Sequence, residues 1–71
     1  MNMNRLRGIM AEQQITQRDL AKRIRISENA LSNKMKGRYA FNTDEAISIC
    51  EVLHIEDPKD KADIFLTASS Q

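Results

Sequence analysis

Two helix-start signals, Thr16 and Ser27, stand so close together that the helix opened by the first must stop almost where the second begins. Thr16-Gln17-Arg18-Asp19 reads as a capping box, with Asp19 reaching back to the residue that caps the helix. Ile15 just before it can staple against Leu20, and Leu20, Ala21 and Ile24 then face a core. Ser27 caps the second helix, and Glu28 in its first turn suits the positive end of the helix dipole. Ala30, Leu31 and Met35 form its buried side, and Gly37 supplies a left-handed residue at its end. Only Arg25 and Ile26 lie between Ile24 and the Ser27 cap. A connection this short forces a sharp turn and a large crossing angle, and the small side chain of Ala21 lets the second helix approach closely.

The rest of the chain reads as helices too, giving five over about 4–13, 17–24, 28–36, 44–54 and 58–67. Leu6, Ile9 and Met10 make the apolar stripe of the first, with Gln13 continuing the spacing. Gly8 inside that helix costs about 1 kcal/mol relative to Ala, and close packing against a neighbouring helix is the expected reason for it. Asn42 with Glu45 forms another capping box, opening a helix whose Ala46, Ile49, Cys50 and Leu53 share one face. Asp57-Pro58 restarts the chain, Asp as cap and Pro at the first helical position. The last helix is expected to run through Ile64, Phe65 and Leu66, with 67–71 fraying. The expectation is an all-α, compact five-helix domain spanning 1–71.

Composition narrows the function. Seventy-one residues make one small domain with a modest core. One cysteine, Cys50, excludes an intrachain disulfide, and Cys50 with His54 cannot by themselves make a zinc site. Cys50 reads as a small core residue, and His54 as a helix-end residue that suits the dipole. No signal peptide or membrane span is recognisable, so a cytoplasmic location is expected. No phosphate loop, carboxylate pair or nucleophile–base motif is present, so neither catalysis nor a cofactor or small-molecule ligand is expected. Net charge is only +1, yet residues 1–43 carry nine Lys or Arg against three Asp or Glu, and residues 44–71 two against seven. Such asymmetry suggests a polyanion partner for the first half, although an uneven solvated surface would look the same.

The helix from Glu28 to Lys36 has an unusual outer face. At about 100° per residue, Glu28, Asn29, Ser32, Asn33 and Lys36 share one broad side. Asn pairs bidentately with adenine, Lys donates to guanine and Glu accepts from cytosine. Asn29 and Asn33 are also weak helix formers that propensity alone would not select. Geometry and outer face together describe a helix-turn-helix unit from Gln17 to Lys36, whose second helix enters the major groove.

Thr16 to Ile24, followed by Ile26-Ser27-Glu28-Asn29-Ala30-Leu31-Ser32, resembles the Cro and phage-repressor (Xre) family of helix-turn-helix proteins. Gly37 and Asp44-Glu45-Ala46 extend the likeness, which covers about 4–55. It implies a lambda-repressor-like fold and a double-stranded DNA operator as partner. By position it implies that Gln17 holds a phosphate, that Glu28, Asn29 and Asn33 reach bases, and that Arg38 meets the backbone; Glu28, a negative charge near phosphates, either discriminates cytosine or only caps its helix. Ser32 and Lys36 fall beside the base-reading positions. Arg18 and Lys22, an i, i+4 pair of like charges, suit a nearby anion, and Arg5, Arg7 and Arg23 are further candidates for phosphate contact. The chain departs from the family at Arg25, where many members have Gly. A left-handed Arg25 would cost about 1 kcal/mol or more. It departs again at Met10 and Met35, which stand near positions where some phage repressors place a buried Arg–Glu pair, so an apolar contact is expected there.

The expectation is a sequence-specific transcriptional regulator, Cro-like or a small phage repressor, of bacterial or phage origin, acting as a homodimer on DNA. With no room for an effector domain after residue 71, regulation is expected through abundance, operator competition or a partner. Ile55, Ile64, Phe65 and Leu66 either form the dimer interface or close the core. Tyr39 and Phe41 either pack under their loop or stand at an interface. The alternative is a protein-interaction module, such as an antitoxin or antirepressor, that uses the acidic C-terminal helices.

Overall fold

The computed structural model describes residues 2–65. Its order is α1 (Met3–Glu12), α2 (Gln17–Ile24), α3 (Glu28–Met35), α4 (Thr43–Leu53) and α5 (Pro58–Phe65). All five are α-helices, and the described residues contain no strand. α1 and α4 each begin one residue before their expected starts, and α1, α3 and α4 each end one residue early. The earlier start of α1 has a cause the sequence left unnoticed: the Asn2 side chain accepts from the Arg5 N–H at 3.0 Å and caps the helix. The expected run of the last helix through Leu66 to 67 lies outside the described residues, as do the fraying of 67–71 and the interface role of Leu66.

The caps read from the sequence are present. The Thr16 hydroxyl accepts from the Asp19 N–H at 3.1 Å, and the Asp19 carboxylate accepts from the Thr16 N–H at 3.3 Å. The Ser27 hydroxyl accepts from the Ala30 N–H at 3.0 Å. Asn42 and Glu45 exchange the same pair of bonds, at 2.7 and 2.9 Å. The Asp57 side chain accepts from the Lys59 N–H at 2.9 Å ahead of α5.

The helix ends repeat one device. After α2, Arg25 adopts φ 65°, its N–H bonds to the Lys22 carbonyl, and the Ile26 N–H bonds to the Ala21 carbonyl. This is the double bond pattern of a Schellman end, with an apolar residue following the left-handed one. Gln14-Ile15 after α1 and His54-Ile55 after α4 do the same, at φ 58° and 57°. At the end of α3 the left-handed residue is Gly37, φ 85°. In each of the first three cases an isoleucine is thereby turned onto the core, where Ile55 is buried and Ile15 and Ile26 half-buried.

One cluster forms the core: Leu6, Ile9 and Met10 from α1, Leu20, Ala21 and Ile24 from α2, Leu31 and Met35 from α3, Ile49, Cys50 and Leu53 from α4, with Ile55 and Ile64. α2 lies at its centre and packs against both α3 and α4, while α1 packs against α5. Met10 and Met35 are both buried in this cluster. Ala30 and Ala46, expected inside, are only half-buried. Burial pushes the Cys50 thiol up, which suits a packing residue and opposes thiolate chemistry. Gly8 contradicts its expected reason: a Cβ built there meets nothing within 4 Å, so no neighbouring helix needs the space. Ile55 and Ile64 are buried and close the core. Phe41 packs edge-to-face on Phe65 with ring centroids 5.6 Å apart, whereas Tyr39 is 64% exposed.

Candidate nucleic-acid interface

The core fixes what α3 shows to solvent. Leu31 and Met35 are buried, so the opposite side of the helix faces out. Glu28, Asn29 and Lys36 are exposed, and Ser32 and Asn33 half-buried. Glu28, Asn29 and Ser32 together line one shallow hollow at the start of the helix. Lys36 follows the last helical residue, beside Gly37. The expected base-reading residues therefore occupy a continuous face, with carboxylate, amide and hydroxyl at its N-terminal end and the ammonium at the other.

Asn33 differs from Asn29 in one respect. Its side-chain oxygen accepts from the Arg38 guanidinium at 3.4 Å, tying the end of α3 to the loop that follows. A bidentate contact with adenine needs that oxygen as an acceptor from the base. Asn29 makes no side-chain hydrogen bond among the described residues.

The cations fall into two groups. Arg5 pairs with Asp60 of α5 through two hydrogen bonds of 3.2 and 3.3 Å. Arg7 donates to the Met35 carbonyl at 3.4 Å, and Lys34 pairs with Glu45 of α4. These three cations of the basic half are occupied inside the molecule, which weakens the case for Arg5 and Arg7 as phosphate contacts. Arg18, Lys22, Arg23, Arg25, Lys36 and Arg38 are exposed and form no ion pair among the described residues. They lie along α2, at its end, and at and beyond the end of α3. Gln17 is half-buried at the first position of α2, next to the Thr16 cap.

Residue-by-residue reading missed Lys34 and Glu45. Lys34 lies about 60° from Leu31 around the helix, on the side that turns towards α4. Its partner was visible only as the third residue of a capping box. The Glu45 carboxyl feels opposing influences: burial raises its pKa, while the bonds from Lys34 and from the Asn42 N–H lower it, and the net shift is downward. Asp19 is also lowered, chiefly by its bonds with the Thr16 side chain and backbone.

Two capped helices joined through Arg25 and Ile26, the second with a polar outer face, define a helix-turn-helix unit. The chain belongs to the Cro/C1-type HTH DNA-binding domain family, whose model matches residues 5–60. The match takes in all of α2, α3 and α4 and most of α1, so the protein is a DNA-binding domain of the class its sequence resembles. No curated protein and no solved structure matches the chain. Among the described residues no helix is long and apolar enough to cross a membrane, and no group of His, Cys, Asp and Glu could hold a metal ion.

Proposed function

We propose that this protein is a sequence-specific transcriptional regulator that reads an operator with α3, as a Cro-like protein or small phage repressor does. The observation that carries the reading is the polar outer side of α3, with Glu28, Asn29 and Lys36 exposed and Ser32 and Asn33 half-buried, together with exposed cations on α2 and after α3 that no carboxylate among the described residues occupies. Asn29 is the principal base reader, since its amide is uncommitted. Asn33 acts with Arg38, which must release or share the amide oxygen if adenine is read. Gln17, Arg18, Lys22 and Arg38 hold phosphates, and these contacts position the helix without reading sequence.

Binding measured on the preferred duplex and on a scrambled one tests these roles. Asn29→Ala should lose about 1–3 kcal/mol on the preferred sequence and little on the scrambled one. Arg18→Ala and Lys22→Ala should weaken both duplexes alike and each reduce the salt slope by about 0.9. An equal loss on both duplexes for Asn29→Ala would make that residue a backbone contact and sink the assignment.

One short recognition helix covers few base pairs, so the operator is read by a homodimer over two half-sites. Its contact face is the apolar groove of about 670 Å³ between α4 and α5, where Ile47 is 52% exposed. The occupant is a second copy: Glu51 stands on the α4 wall and Lys61 on the α5 wall, so a two-fold axis along the groove can set the acid of one copy against the base of the other. Ile47→Glu should leave a folded monomer with weakened operator binding, read by light scattering and titration. If the dimer and its affinity survive, a second copy is not the occupant. The competing reading, an antitoxin or antirepressor that takes a different protein there, then stands in its place.

A further inference from the structure

The Lys34–Glu45 pair points to a role that DNA contact alone would not assign. Lys34 follows Asn33 directly on α3, in the middle of the proposed reading unit, yet its ammonium faces α4. The two side chains are only 18% and 11% exposed, by far the most enclosed ion pair among the described residues. Glu45 is fixed from its other side as well: one carboxylate oxygen accepts from the Asn42 N–H at 2.9 Å while the other accepts from Lys34. Its own N–H is bound by the Asn42 side chain at 2.7 Å. The carboxylate is therefore held by the cap of α4 as well as by the lysine, and it keeps the ammonium against α4.

A cation on a recognition helix adds affinity for any sequence, because phosphates are everywhere on a duplex. We propose that Glu45 is a specificity-determining positioning residue, holding Lys34 away from DNA and so keeping down non-specific binding. The proposal rests on the reading of α3 as the DNA-contacting helix. Lysine suits the arrangement because its long stem can lie along apolar surface towards α4, yet would swing to solvent if the carboxylate were lost.

The test compares the wild-type protein with Glu45→Gln, Lys34→Met and the double variant on a preferred duplex and a random-sequence duplex across a salt series. Glu45→Gln keeps the side-chain length and an oxygen for the Asn42 N–H, so the cap survives. It should steepen the non-specific salt slope by about 0.9, an extra loss of about threefold between about 50 and 200 mM salt. It should also lower the ratio of specific to non-specific affinity. Adding Lys34→Met should abolish the steepening. A Glu45→Gln slope equal to wild type, or a steepening that persists in the double variant, overturns the proposal while leaving the DNA reading intact. Wild-type binding to both duplexes that ignores salt overturns both.

A second measurement needs no variant. In the free wild-type protein, acylation of Lys34 by an amine-reactive reagent should be much slower than that of Lys36. Added duplex should protect Lys36 and leave Lys34 unchanged. Equal reactivity in the free protein, or protection of Lys34 by DNA, contradicts the proposal.

Discussion

Gly8 sits in the middle of α1 with open space where its side chain would be. Gly8→Ala should therefore raise stability by about 1 kcal/mol in denaturant unfolding, through backbone entropy and helix propensity. Gly37 has the same open space, but its φ of 85° makes Gly37→Ala destabilising, so the two substitutions should have opposite signs. Arg25 is the third position of this kind. Its left-handed backbone, φ 65°, is read from the chain's departure at the turn, and Arg25→Gly should stabilise the fold by about 0.5–1 kcal/mol once glycine's greater freedom in the unfolded chain is offset. Arg25 was legible because the motif fixes its backbone locally. Gly8 was not: spacing along a helix shows which face a residue occupies, but not whether another helix comes near.

The elements were legible wherever a few neighbouring residues determine them. Thr16 with Asp19, Ser27 with Ala30 and Asn42 with Glu45 each close within four residues, and all are formed. Pairs between elements escaped, because Arg5 with Asp60 and Lys34 with Glu45 depend on how helices pack. One consequence concerns acid. The carboxyls of Glu45 and Asp19 are both lowered in the fold, so their contributions are present above the unfolded value and vanish as pH falls through the folded one. Stability should be nearly level from about pH 7 to 5 and decline below that. Glu45→Gln should flatten the decline in urea unfolding curves taken across this range. A variant that declines as steeply as wild type would place the acid sensitivity elsewhere. The polar outer face of α3 was the clearest part of the candidate site in sequence terms, since the burial of Leu31 and Met35 fixes the helix's orientation. The Arg38 bond to Asn33 was not, as it needs the chain to reverse at Gly37.

At the scale of the molecule, the basic and acidic halves of the sequence do not remain apart. Asp60 and Glu45 fold back onto Arg5 and Lys34, leaving the exposed cations on α2, at its end, and around the end of α3. The charge asymmetry was visible in the sequence, but which cations it leaves for DNA emerges only after folding. The body measures 32 × 24 × 20 Å. Selection of bound sequences from a pool of random duplex DNA would show whether α3 reads an operator. The enriched motif should be two inverted half-sites with centres about 10–10.5 base pairs apart, which Asn29→Ala relaxes at matching positions in both halves. A pool that shows no enriched sequence, or is retained equally by protein lacking the α3 amides, would contradict that reading.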